Sequence, residues 1–245
     1  MDVACVFKWS RNEPDAWVDP DGTVKWRGAK LIATDDDAAA VAVARRLAQA
    51  TGGELAGVTI GEGDARWALA RGAGRVVCLA EAAPSLDGAA TAAALAAAVR
   101  GAGRFDVVVM GDGRDQAGVA GTLAALLGLP VVAGVQEAEA DPDRPGRLTL
   151  RRRLGGAVET LAVPTPALVA VAASAAEESP PGVKQLLAAR RLPIEAPAPT
   201  GALPAARIAV LRSRAPEART ARLFEGDPAA SAAGLVAALR GDGVL

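Results

Sequence analysis

A chain of 245 residues with a net charge of -1 and an isoelectric point near 5.7 can bury one α/β core, with or without an appendage. That charge gives no general attraction for nucleic acid or an anionic membrane, and the absence of histidine and tyrosine removes the commonest general base and argues against a hydrolase. The two cysteines, Cys5 and Cys78, lie in apolar strand-like runs without a CxxC, which excludes a disulfide framework or a zinc site and marks them as reduced core thiols.

The amino terminus, MDVACVFKW, has an acidic second residue and a short apolar run, so neither a signal peptide nor a spanning helix is expected and the chain is placed in the cytoplasm. Val3 to Phe7 reads as a buried strand with Lys8 at its carboxyl end, either beside a ligand site or simply solvated. Residues 9–31 are irregular apart from WVDPDGTVKW, whose Pro-Asp-Gly turn marks a small hairpin. ATDDDAAAVAVARRLAQATGG then predicts a helix capped by Thr34 or Asp35 and closed by Gly52-Gly53, its aspartates suited to the amino end of the dipole. Capping explains the aspartates better than a divalent metal does, because neighbouring helical residues point apart and no further acidic cluster completes a site.

Leu55 to Ile60 is a strand, GEGDARWALARGAG a turn and short helix, Val76 to Leu79 a strand, and residues 87–101 an alanine-rich helix. Val107 to Met110 follows as a run buried on both faces. Its glycine-rich turn, with Gly111, Gly113, Gly118 and Gly121, lets backbone approach a ligand, and Asp115 can cap the next helix or accept ribose or amide protons. Leu123, Leu126 and Leu127 recur at helical spacing before Gly128 and Pro130 end the helix. Strand, glycine loop and helix in this order place unpaired N–H groups where phosphates bind in parallel sheets. The same glycines would equally serve a tight connection, for the pattern is neither GxxxxGK[ST] nor a clean GxGxxG.

Strand and helix alternation to this point implies a doubly wound, mostly parallel sheet. Beyond Pro130, VVAGVQEAEA, RLTLRRRL, AVETLAVP and ALVAVAA are strands without intervening helices, hence an antiparallel or mixed edge, on which Arg151 and Arg153 share a solvated or partner-facing side. From Glu177 two proline-rich segments flank a short helix, Lys184 to Arg191, and require packing on this domain or on another protein. Residues 206–212 are expected to add one more strand, and a capped amphipathic helix begins at Asp227.

The strand-end lysine, the capped helix, ALARGAGRVVCL, GDGRDQAGVAGTLAALLGLP, RRRLGGAVETLAVPTPALVAV and PPGVKQLLAARRLPIE succeed one another in a way that resembles the beta subunit of electron-transfer flavoprotein, over residues 1 to about 240. The resemblance implies an adenine-nucleotide-alpha-hydrolase-like sheet over residues 1–195 and a carboxyl-terminal arm and helix, residues 196–245, packing on a partner. It implies a heterodimer whose alpha subunit holds the FAD, and AMP, or in bifurcating relatives a second FAD, in this chain. Electrons would come from a flavin dehydrogenase and pass to a membrane quinone oxidoreductase or another acceptor, with no catalytic residue or metal here. By position the family's nucleotide contacts fall on Val6, on Thr34, Asp35, Asp36 and Asp37, where the family's Asn-Pro motif is absent, and on Asp115, Gln116, Gly118, Val119, Ala120, Gly121 and Thr122. The family's dehydrogenase anchor falls on Val183, with Leu186 and Leu187 one turn on. Two other readings stand beside it: an adenine-nucleotide sensor or enzyme on the same sheet, and a structural subunit that has lost its nucleotide.

Overall fold

The runs VACV, LAGVTI, VVVMG and ALVAV are buried at every position, the signature of strands covered on both faces. The computed structural model describes all residues except 12–14, 29, 114–117, 178, 198–202, 204 and 215–220. In chain order it contains β1 (Val3–Val6), β2 (Ser10–Arg11), β3 (Ala16–Val18), β4 (Val24–Trp26), β5 (Leu31–Ile32) and α1 (Asp35–Thr51). Then come β6 (Leu55–Ile60), α2 (Arg66–Leu69), β7 (Arg75–Leu79), α3 (Gly88–Ala102), β8 (Val107–Gly111) and α4 (Val119–Leu127). The chain continues through β9 (Val131–Ala140), β10 (Arg147–Leu154), β11 (Ala157–Pro164), β12 (Ala167–Val171), α5 (Val183–Ala189) and α6 (Pro228–Gly241).

The main sheet runs β11-β10-β9-β12-β8-β1-β6-β7, parallel from β9 through β7 and antiparallel at β9-β10-β11. Alternation along β1 sends Val3, Cys5 and the following Phe7 into the core under α1 and α2, and Ala4 and Val6 into the core under α3 and α4. The doubly wound α/β sheet with antiparallel edge strands is therefore present. One of the four strands after Pro130 does not join the edge, however. β12 inserts between β8 and β9 in parallel with both, because a run apolar at every position needs cover on both faces. At the opposite end the segment around Glu195 closes the rim: Cys78 N–H donates to the Glu195 carbonyl and Glu195 N–H to that of Val76, both at 2.9 Å.

The strand expected over residues 206–212 does not form. Among the described residues these pair with no strand, and Ile208, Val210 and Leu211 are exposed. A β-branched run stays out of a sheet when no free edge and no covering layer is offered to it.

The chain divides into two compact units, Met1–Ala16 with Trp26–Leu211, and Trp17–Lys25 with Arg212–Leu245. The second holds the hairpin turn, where Gly22 N–H donates to the Asp19 carbonyl at 2.9 Å, and α6. Asp227 caps α6 by accepting from Ala230 N–H at 3.0 Å, Pro228 occupies its first turn, and no residue of this helix is buried.

Candidate functional site

In the sheet the carboxyl ends of β1 and β8 lie side by side, while α1 leaves β1 over one face and α4 leaves β8 over the other. That divergence opens a crevice at the switch point, the place where sheets of this kind bind ligands. Val6 stands at its floor, buried, in register with Met110 of β8 and Val58 of β6. Two residues on, Lys8 is only 6% exposed, so the solvated reading of this lysine is excluded. The exit of β1 is held by the Thr59 hydroxyl, which donates to the Phe7 carbonyl at 2.7 Å.

The first turn of α1 fills the crevice from one side. Thr34 is the extended N-cap, and its N–H donates to Asp37 Oδ2 at 3.2 Å, so Asp37 serves as the acidic member of a capping box. The Thr34 hydroxyl sits 2.7 Å from Asp37 Oδ2 and also contacts Asp36 Oδ1. Asp36 reaches across to the loop after β8, where its Oδ2 accepts the Gly113 N–H at 2.7 Å. Gly111 is required here: a Cβ at that position would lie 2.6 Å from Asp36 Oδ2 and 2.9 Å from the Asp36 carbonyl carbon. Asp35 points into solvent.

These three aspartates are electrostatically unlike. Asp37 is 1% exposed, and burial, opposed by the Lys8 ammonium and the bond to Thr34, pushes its carboxyl up to about 6. For Asp36 burial also works against charge, but hydrogen bonds from Thr34 and Gly113 and the Lys8 ammonium together hold it below the ordinary carboxylate range. Burial, and then the charge of Asp37, raise the Cys5 thiol far above its usual range, so Cys5 is an inert core thiol. Among the described residues no group of three or more Cys, Asp or Glu is placed to hold a metal.

The loop residues divide. Asp115 and Gln116 lie outside the described residues. The residue at the N-cap position of α4 is Gly118, at φ 95°, and the helix begins at Val119, earlier than the TLAALLG run suggests. Val119 and Ala120 face the core, whereas Gly118 and Gly121 are exposed and a Cβ on either would meet nothing within 4 Å. Thr122 N–H closes the first helical bond to the Gly118 carbonyl at 2.9 Å. The crevice thus brings Val6, Lys8, Asp36, Asp37, Gly111 and Gly113 together. The bond between Gly113 and Asp36 joins residues 77 apart, a distance over which no local pattern carries a signal. Lys8 was visible as a strand-end cation; what hid its role was the identity of its partners.

Other candidate features resolve differently. Arg151 and Arg152 pair across strands with Glu137 at 2.9 Å and Glu159 at 2.7 Å in half-exposed ion pairs, and Arg153 is exposed. A cleft of about 750 Å³, lined by Trp9, Arg11, Trp26, Glu62, Glu81 and Ser85 among others, opens beside the ends of β1, β6 and β7. On α5, Val183 is 72% exposed, and Leu186 and Leu187 are exposed as well.

The electron transfer flavoprotein domain family matches this chain over residues 22–202. The chain belongs to that family. Membership makes it part of an electron-carrying flavoprotein, associated with FAD and with the other subunit of a heterodimer, and leaves open which of the two subunits it is. No helix among the described residues is long and apolar enough to cross a membrane. Among the described residues of the crevice, the Gly113 N–H is already taken by the Asp36 carboxylate, and Asp36 and Asp37 make the surroundings acidic.

Proposed function

We propose that this chain is the beta subunit of a heterodimeric electron-transfer flavoprotein of the cytoplasm, a non-catalytic carrier subunit. It shapes the FAD site of an alpha subunit and docks a flavin dehydrogenase, so that electrons pass on to a quinone oxidoreductase or another acceptor. Outer-sphere electron transfer asks the protein for positioning and electrostatics rather than for a proton donor, which suits a chain without histidine or tyrosine.

The observation that carries this reading is the uneven distribution of exposed apolar residues. The parallel strands β1, β6, β7, β8 and β12 bury every large aliphatic they carry, whereas after residue 182 Val183, Leu186, Leu187, Ile208, Val210, Leu211 and Leu223 are all exposed. Such a concentration marks a surface built for other chains. We assign residues 196–245 to packing against the alpha subunit and the α5 face to dehydrogenase docking, with Val183 as the anchor. Its 72% exposure speaks against a residue that merely packs the start of its own helix.

Co-expression with a flavin-binding subunit of the same family tests the reading. A yellow complex of one copy of each chain, with FAD lost when this chain is omitted, is the expected result. A flavin-binding subunit that holds FAD and accepts electrons equally well without this chain overturns it.

A further inference from the structure

We propose that the crevice between β1 and β8 carries its own anion, the Asp36 carboxylate, in the seat a nucleotide phosphate would need, and that this chain holds neither AMP nor a second FAD. The inference rests on membership of the family and not on which subunit the chain is.

Three observations converge on it. The first is occupancy of the donor. A phosphate at a strand-loop-helix junction is held by backbone N–H groups, and of those that follow β8 the Asp112 N–H donates to the Val171 carbonyl at 2.8 Å and the Gly113 N–H to Asp36 Oδ2 at 2.7 Å. The second is room. Gly111 lacks a side chain so that Asp36 can approach, with both its carboxylate and its carbonyl carbon within 2.9 Å of where a Cβ would stand. The close approach this glycine permits is therefore used by the chain itself. The third is charge. Among the described residues Lys8, buried at the end of β1, is the cation that faces Asp36 and Asp37, and it already answers those two carboxylates. A nucleotide phosphate entering here would add negative charge beside two carboxylates that share this lysine.

What the carboxylate does in place of a ligand also follows. Asp36 ties the first turn of α1 to the loop after β8 across 77 residues of sequence, the cross-link that a phosphate bridging the two would otherwise make. The crevice is then complete on folding and independent of nucleotide supply.

The test uses the complex with the flavin-binding subunit, and the full chain alone if no complex forms, so that a missing complex counts against the proposed function while the nucleotide assay stays readable. The protein is heat-denatured and the released nucleotide separated and quantified, and the intact protein is melted with and without AMP. We expect less than about a tenth of an equivalent of AMP, no more than one FAD per complex, and a melting temperature insensitive to millimolar AMP. Near-stoichiometric AMP or a second FAD in the wild type overturns the proposal. Asp36→Ala frees the Gly113 N–H and removes the competing charge; once folded, it is expected to gain an AMP-dependent rise in melting temperature. A folded Asp36→Ala that stays blind to AMP overturns the assignment of Asp36 as the occupant, and if that variant does not fold the wild-type measurements decide alone.

Discussion

Two segments of this chain have nearly the same chemistry and opposite fates. Val107 to Met110, VVVM, is at most 2% exposed at each position, while in Ile208 to Leu211, IAVL, Ile208 is 59%, Val210 61% and Leu211 97% exposed. The first run sits between β1 and β12 with helices over both faces. The second has no strand partner among the described residues, and near it the Arg207 N–H is instead spent on Asp87 Oδ2 at 2.8 Å. Composition thus states how much burial a segment demands; the sheet around it decides where the demand is met. Under the proposed function, the apolar run left outside the core is a demand directed at the flavin-binding subunit.

The comparison breaks most visibly with a charge in each run. Val109→Asp places a carboxylate between two packed layers with nothing to pair it, a penalty of several kcal/mol that rivals the whole margin of folding, and is expected to leave no soluble folded chain by circular dichroism. Leu211→Asp is expected to leave the melting temperature of the isolated chain where it was and to weaken binding of the flavin-binding subunit at least about tenfold. Should Leu211→Asp melt many degrees lower by itself, the run is packed at home and the contrast fails.

A second effect comes from Asp37, a carboxylate buried in the closed region. Asp37 titrates near 6 in the folded chain against an ordinary value of 3.8, so between those values the folded state holds a proton that the unfolded state has released. Stability therefore falls as pH rises through that window and is level above it, by an amount on the order of 3 kcal/mol. Asp36 runs the other way, since its depressed titration withdraws stability only below the ordinary carboxylate range. The melting temperature should climb as pH is lowered from about 7.5 to about 5, and Asp37→Asn should flatten that climb. A wild-type profile that falls over this range would show that Asp37 is not buried as described.

The difference between the two runs also explains what the amino-acid sequence disclosed. Period and caps announced α1 through Thr34 and Gly52, α4 through Gly128, and every strand of the parallel sheet, because each of these signals is local. The insertion of β12 between β8 and β9, the failure of residues 206–212 to join a sheet, and the bond from Gly113 to Asp36 depend on partners far along the chain. The three aspartates were legible as a helix cap, and Asp37 is one. That Asp36 leans instead on the neighbouring loop could not be read from DDD.

A smaller effect concerns the exposed side of the comparison. Val183→Asp leaves α5 formed, because the residue contributes little to the core, and is expected to slow reduction by the dehydrogenase at least about tenfold while FAD content stays unchanged. Wild-type reduction rates at sub-saturating protein would remove Val183 from the docking surface.

The smallest expected effect lies on the boundary between the two regimes, at the start of α4. Gly121 is the third residue of that helix, exposed, with nothing within 4 Å of where its Cβ would stand, so the fold supplies no steric reason for glycine. Glycine in a helix is about 0.5–1 kcal/mol worse than alanine, and Gly121→Ala should therefore raise the melting temperature by roughly 1–4 °C for a chain of this size. Gly118 is the internal control: its φ of 95° is one that alanine adopts only with strain, so Gly118→Ala should lower stability by about 1 kcal/mol or more. The functional half of the experiment is what connects this helix to the crevice. If the anion seat is filled by Asp36, no ligand needs bare backbone at residue 121, and the stabilised Gly121→Ala protein should transfer electrons at the wild-type rate. A variant that is more stable yet slower, or that no longer assembles, would show that another molecule approaches the helix there and that this glycine is kept for it.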